Sequence, residues 1–240
     1  MDRLLVALDV ASLDQARSLA NQLRGSVGGF KIGSQLFTSV GPAFVEELVG
    51  RGDRVFLDLK FHDIPHTVAG AIAAATRIGV WMVTVHAAGG ADMMRAARAA
   101  ADEEAVKRVI QPPLIVAVTV LTSIDQQTLA TTGVAGHLDE HVARLALLAQ
   151  ASALDGAVAS PQEISLLRAC CDPRFALVTP GIRSAGDDSG DQRRTATPSG
   201  ALSAGASYIV VGRSIIGAPD PRAAAERIAE ECREPAADSR

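Results

Sequence analysis

The stretch RVFLDLKFHDIPHTV, residues 54–68, places Asp58, Lys60 and Asp63 within six residues, at the end of an apolar run. A strand that only fills a core has no reason to finish in three charges. An ammonium flanked by carboxylates is favoured in its protonated form. That state suits a proton donor or a fixed positive charge, and it opposes Schiff-base chemistry, which needs the free amine. Of the 23 basic residues only Lys31, Lys60 and Lys107 are lysine, so arginine carries the ordinary surface. Lys31 in GGFKIGS and Lys60 in FLDLK sit instead at strand-like segments, where a compact ammonium acts as a point charge that a planar guanidinium does not reproduce.

The elements that must position these residues recur along the chain. Apolar or β-branched runs stand at LLVALDV (4–10), GFKIGS (29–34), RVFLDLK (54–60), WMVTVHA (81–87), LIVAVTVL (114–121), GAVAS (156–160), ALVTPGI (176–182) and YIVVGRSI (208–215). Segments of helical periodicity, such as LDQARSLANQL, lie between them. Alternating strands and helices build a parallel sheet, and about eight repeats point to an α/β fold, a closed (β/α)8 barrel of the TIM type. A doubly wound open sheet is the alternative, but ALDVASLD follows the first strand where a G-x-G-x-x-G loop would be expected. Residues 1–233 read as one catalytic domain and 234–240 as a frayed tail. SAGDDSGDQRR (184–194) reads as a mobile loop within one strand-to-helix connection.

Composition narrows the partners. A formal net charge of −4 supplies no basic field for a nucleic-acid backbone. No apolar run approaches the ~20 residues of a membrane span, and the start of the chain lacks a signal-peptide pattern. The expected location is cytoplasmic. Cys170, Cys171 and Cys232 lack metal-type spacing, and two are adjacent, so a disulfide scaffold is not expected. His62, Asp63 and His66 form an H-D-x-x-H run, but Pro65 interrupts the helical turn that would align two imidazoles. No metal and no cofactor are expected.

In a barrel, Phe56, Asp58 and Lys60 share one face of their strand while Val55, Leu57 and Leu59 share the other. Asp9 and Lys31, near the ends of the first two strands, occupy equivalent positions, and alternating signs let such charges neutralise one another. A purely structural ion-pair cluster closing the barrel is the competing reading. TPGIR (179–183) and VGR (211–213) each combine glycine with an arginine after the seventh and eighth strands, the usual phosphate site of this fold.

DLKFHDIPHTV resembles the signature of the orotidine 5′-monophosphate decarboxylase family. The likeness continues in order through ALDV, FKIG, VTVLTS, TPGIR, DQRR-x-x-TP and VGRSI. A related sugar-phosphate decarboxylase shares the aspartate and lysine spacing, so that enzyme or an epimerase on the same barrel is the alternative. The resemblance implies that Lys60 donates a proton to C6 of the pyrimidine and that Asp58 lies against the substrate carboxylate. It makes Lys31 a bridge between the charges and a ribose hydroxyl, and Asp9 a ribose contact. Thr122 or Ser123 would face the pyrimidine, Arg183, Gln192, Gly212 and Arg213 would bind the phosphate and uracil side, and Pro180 would be a further substrate contact. It further implies a homodimer in which Asp63 and Thr67 reach the neighbouring subunit's site. The helix face bearing Ile64, Val68, Ile72 and Ala residues would then serve as dimer interface as well as core.

Overall fold

A computed structural model describes residues 2–183 and 196–232. The expectations for the loop at 184–194, for Gln192 and for the tail at 234–240 lie outside the described residues. Eight parallel strands close into a barrel in simple sequence order. They are β1 (Leu4–Ala7), β2 (Gly29–Gly33), β3 (Val55–Phe61), β4 (Met82–His86), β5 (Leu114–Val118), β6 (Gly156–Val158), β7 (Ala176–Thr179) and β8 (Tyr208–Val211). The chain is therefore a (β/α)8 barrel. Several strands are shorter than the apolar runs that announced them, because residues such as Val120 and Pro180 leave the ladder to line the mouth of the barrel.

Strand alternation divides the core in two. Val6, Phe30, Ile32, Val55, Leu57, Val83 and Val85 face outward into the layer beneath the helices. Leu5, Phe56, Met82, Val116 and Val178, none more than 2% exposed, fill the lumen. Trp81 and Tyr208 pack against this inner cluster edge to face, with ring centroids 5.1 Å apart, and the Arg54 guanidinium lies 5.4 Å from the Trp81 ring centroid. The lumen below the site is thus a packed floor, not a pore.

Side chains set where the helices begin. Ser12, Asp125 and Asp220 accept backbone N–H groups at the starts of helices Leu13–Leu23, Gln126–Thr131 and Pro221–Glu231. Pro65 opens helix Pro65–Ile78 from its first turn, so it starts that helix and does not interrupt it, and His62 precedes the helix altogether. Val68 and Ile72 of this helix are 1% and 0% exposed within the chain's own core. They are not available to a second subunit, which leaves Ile64, 66% exposed, as the one of these three that faces outward. No helix among the described residues is long and apolar enough to cross a membrane.

Candidate active site

The inward stripe of the strands changes character from floor to mouth. On β1 and beyond it, Leu5 and Ala7 are followed by Asp9; on β3, Phe56 is followed by Asp58 and Lys60. After β5, Val116 and Val118 give way to Val120 and Thr122; after β8, Val210 gives way to Gly212. A period of two therefore delivers polar groups to the C-terminal end of the barrel, where a cavity of ≈ 500 Å³ opens.

Four charges form a continuous chain in this cavity. Lys31 Nζ lies 3.0 Å from Asp9 Oδ1 and 3.7 Å from Asp58 Oδ2, and Lys60 Nζ lies 2.9 Å from the same Asp58 oxygen. The side chains of Lys31 and Asp58 are only 11% and 13% exposed. Isolated charges so placed would be costly to desolvate, and the alternation of signs offsets that cost. Gly33 leaves room for the pair beside it: a Cβ there would stand 3.0 Å from Lys31 Nζ and 3.2 Å from Asp9 Oδ1.

The end of β3 departs from a regular strand. Its pairing with β4 passes from Leu57 opposite Val83 directly to Phe61 opposite Val85, so three residues of β3 oppose Thr84 alone. Lys60 has φ +53°, in the left-handed region that costs a non-glycine residue about 1–2 kcal/mol. The Lys60 N–H donates to Thr84 Oγ1 at 2.8 Å, and Thr84 Oγ1 donates to Asp58 Oδ1 at 3.1 Å. Sequence reasoning missed Thr84. Its signal was the inward parity of Met82, Thr84 and His86 on the strand next to β3.

The rest of the lining includes Thr122, Ser123, Pro180, Gly181, Arg183, Gly212 and Arg213. Gly181 has φ +79°, a turn open to glycine, after which the Arg183 N–H donates to the Ala196 carbonyl at 3.0 Å. Gly212 precedes the short helix Arg213–Ile216. Lys31, Lys60, Arg183 and Arg213 against Asp9 and Asp58 leave the lining two positive charges in excess, which complements a phosphate dianion.

Asp63 and Thr67 do not line this cavity. Both are exposed, and Asp63 Oδ1 accepts the Ile64 N–H at 2.6 Å. Asp63 belongs to a second depression lined by His62, Ile64, Pro65, Ala88 and Gly89. The His62 ring is stacked on His86 with centroids 5.2 Å apart. Burial, then the neighbouring His62 and Lys60, holds His86 below the ordinary imidazole range, and its Nδ1 accepts the Ala88 N–H at 3.4 Å. Among the described residues, no group of three or more His, Cys, Asp or Glu side chains is placed to hold a metal ion. Burial and the adjacent Cys170 push the Cys171 thiol up to about 12, which keeps it protonated and unreactive.

Comparison with known proteins agrees with this architecture. Residues 2–228 match the model of the Orotidine 5′-phosphate decarboxylase / HUMPS family. The orotidine 5′-phosphate decarboxylase of Moorella thermoacetica is 54% identical over 231 residues, covering 96% of this chain and 92% of that protein. Its counterpart from Sodalis glossinidius is 50% identical over 234 residues, covering 98% and 91%. The crystal structure of orotidine 5′-phosphate decarboxylase from Lactobacillus acidophilus superposes with a TM-score of 0.86 at 35% identity, over 96% of this chain and 99% of that one. With a match across nearly its whole length, the chain belongs to the orotidine 5′-phosphate decarboxylase / HUMPS family.

Proposed function

We propose that this chain decarboxylates orotidine 5′-monophosphate to uridine 5′-monophosphate in pyrimidine biosynthesis, in the cytoplasm and without a cofactor. The observation that carries the reading is the Lys60 ammonium, 2.9 Å from Asp58 inside a cavity whose lining is cationic in excess. Loss of CO₂ from the pyrimidine ring leaves an electron pair at C6, on an sp² carbon with no carbonyl placed to accept it. The Lys60 ammonium stabilises that charge as it develops and then transfers its proton to C6. Asp58 stands beside the departing carboxylate, and their repulsion ends as CO₂ leaves. At ~4 Å and an effective dielectric near 20, that repulsion is about 4 kcal/mol. Enzymatic accelerations correspond to about 8–23 kcal/mol, so repulsion is a minor contribution. Preorganised charge and binding of the phosphate supply the remainder.

Lys31 and Asp9 hold the ribose side, Thr122 or Ser123 the pyrimidine, and Arg183, Gly212 and Arg213 the phosphate and uracil side, with Pro180 a further substrate contact. Gln192 belongs with the phosphate and uracil group by resemblance. The decisive assay follows the fall in absorbance as orotidine monophosphate becomes uridine monophosphate, with a chelator present. Turnover undiminished by the chelator is the expected result. No turnover, together with decarboxylation of a sugar-phosphate acid, would assign the chain to the other branch of its family.

Arg213→Ala is expected to raise KM for orotidine monophosphate about 10- to 100-fold, the range for loss of a hydrogen bond to a charged group. Steady-state kinetics check this. An unchanged KM removes Arg213 from the phosphate site.

A further inference from the structure

Thr84 is a polar side chain of the barrel interior to which the reaction above gives no task. It is fully buried in the middle of β4. A hydroxyl offers one proton and two lone pairs, and here the roles are forced. The Lys60 backbone N–H can only donate, so Thr84 Oγ1 accepts it at 2.8 Å. The Asp58 carboxylate, already taking the Lys60 ammonium on its other oxygen, accepts the Thr84 proton at 3.1 Å. The ladder between β3 and β4 skips this point, and Lys60 sits there in a left-handed conformation. One hydroxyl thus ties the irregular backbone of Lys60 to the carboxylate that orients its ammonium.

We infer that Thr84 is a positioning residue for the Asp58–Lys60 pair, its hydroxyl taking the place of the sheet bonding lost at the bulge. The inference rests on the role proposed for Lys60. Without the hydroxyl, the Lys60 N–H loses its partner in a partly buried position and the backbone loses the bond that stabilises its strained conformation. The ammonium and carboxylate then sample geometries in which Nζ is no longer aimed at the reacting carbon. Binding of the nucleotide phosphate, made by other residues, is left intact.

Thr84→Val keeps the shape and removes the hydroxyl; Thr84→Ser keeps the hydroxyl. Wild type and both variants are compared by kcat and KM on orotidine monophosphate, by calorimetric affinity for uridine monophosphate and by melting temperature. The Val variant is expected to lose about 10- to 100-fold in kcat, with uridine monophosphate affinity retained and the Ser variant close to wild type. Wild-type kcat in the Val variant overturns the inference. So does a Ser variant that loses as much as Val, or a nucleotide affinity that falls in step with kcat, since either marks a general packing role. Should the Val variant fail to fold, Thr84→Cys, with a weak thiol in place of the hydroxyl, carries the same comparison. A wild-type chain that does not convert orotidine monophosphate would instead overturn the parent reading, independently of any variant.

Discussion

Lys60→Ala is expected to abolish decarboxylation while uridine monophosphate still binds. The substitution removes a general acid, worth about 10²- to 10⁴-fold, and a fixed charge at the developing carbanion, worth about 10²- to 10³-fold. The combined loss is at least about 10⁴-fold, since both effects act in the transition state. The fold should withstand the change, because Asp58 keeps Lys31 at 3.7 Å and Thr84 at 3.1 Å, so the carboxylate is not stranded. Lys60→Arg is expected to fail as well, as a planar fork cannot occupy the ammonium's place between Asp58 and substrate. Single-turnover kinetics and calorimetry with uridine monophosphate check both halves, and near-normal turnover of the Ala variant would sink the assignment.

Asp63→Ala is expected to cost nearly as much activity, although Asp63 lies outside the cavity of its own chain. The proposal is that Asp63 and Thr67 complete the site of a second subunit across a two-fold axis. Their exposure beside the outward-facing Ile64 supports it. Mixing Lys60→Ala with Asp63→Ala subunits tests this without any structure of a dimer. Random assortment makes half the dimers mixed, and each mixed dimer carries one undamaged site, so activity returns to about a quarter of wild type. Demonstrated subunit exchange with no recovery would place Asp63 outside the partner's site.

The alternation of short apolar runs with helical segments made the barrel legible, because a period of two and a period of 3.6 leave different marks on a sequence. The meeting of Asp9, Lys31, Asp58 and Lys60 was legible for the same reason: strand parity and strand-end position locate a side chain before any contact is known. The bulge at Lys60 was not. A left-handed residue usually announces itself as Gly or Asn, whereas here a lysine adopts that conformation, stabilised by contacts with β4 that are remote in sequence. Thr84 was hidden because threonine is an ordinary β-former, and nothing in WMVTVHA distinguishes a hydroxyl that bonds across strands from one that only packs. Val68 and Ile72 were assigned a double duty that burial in a single core does not allow.

The packed lumen floor has a consequence for traffic through the enzyme. Leu5, Phe56, Met82, Val116 and Val178 leave no passage beneath the cavity. Under the proposed reaction the nucleotide must therefore back out by the doorway through which it came. Substrate and product then share one entrance, and uridine monophosphate is expected to compete with orotidine monophosphate for the same mouth, a pattern that product-inhibition kinetics check.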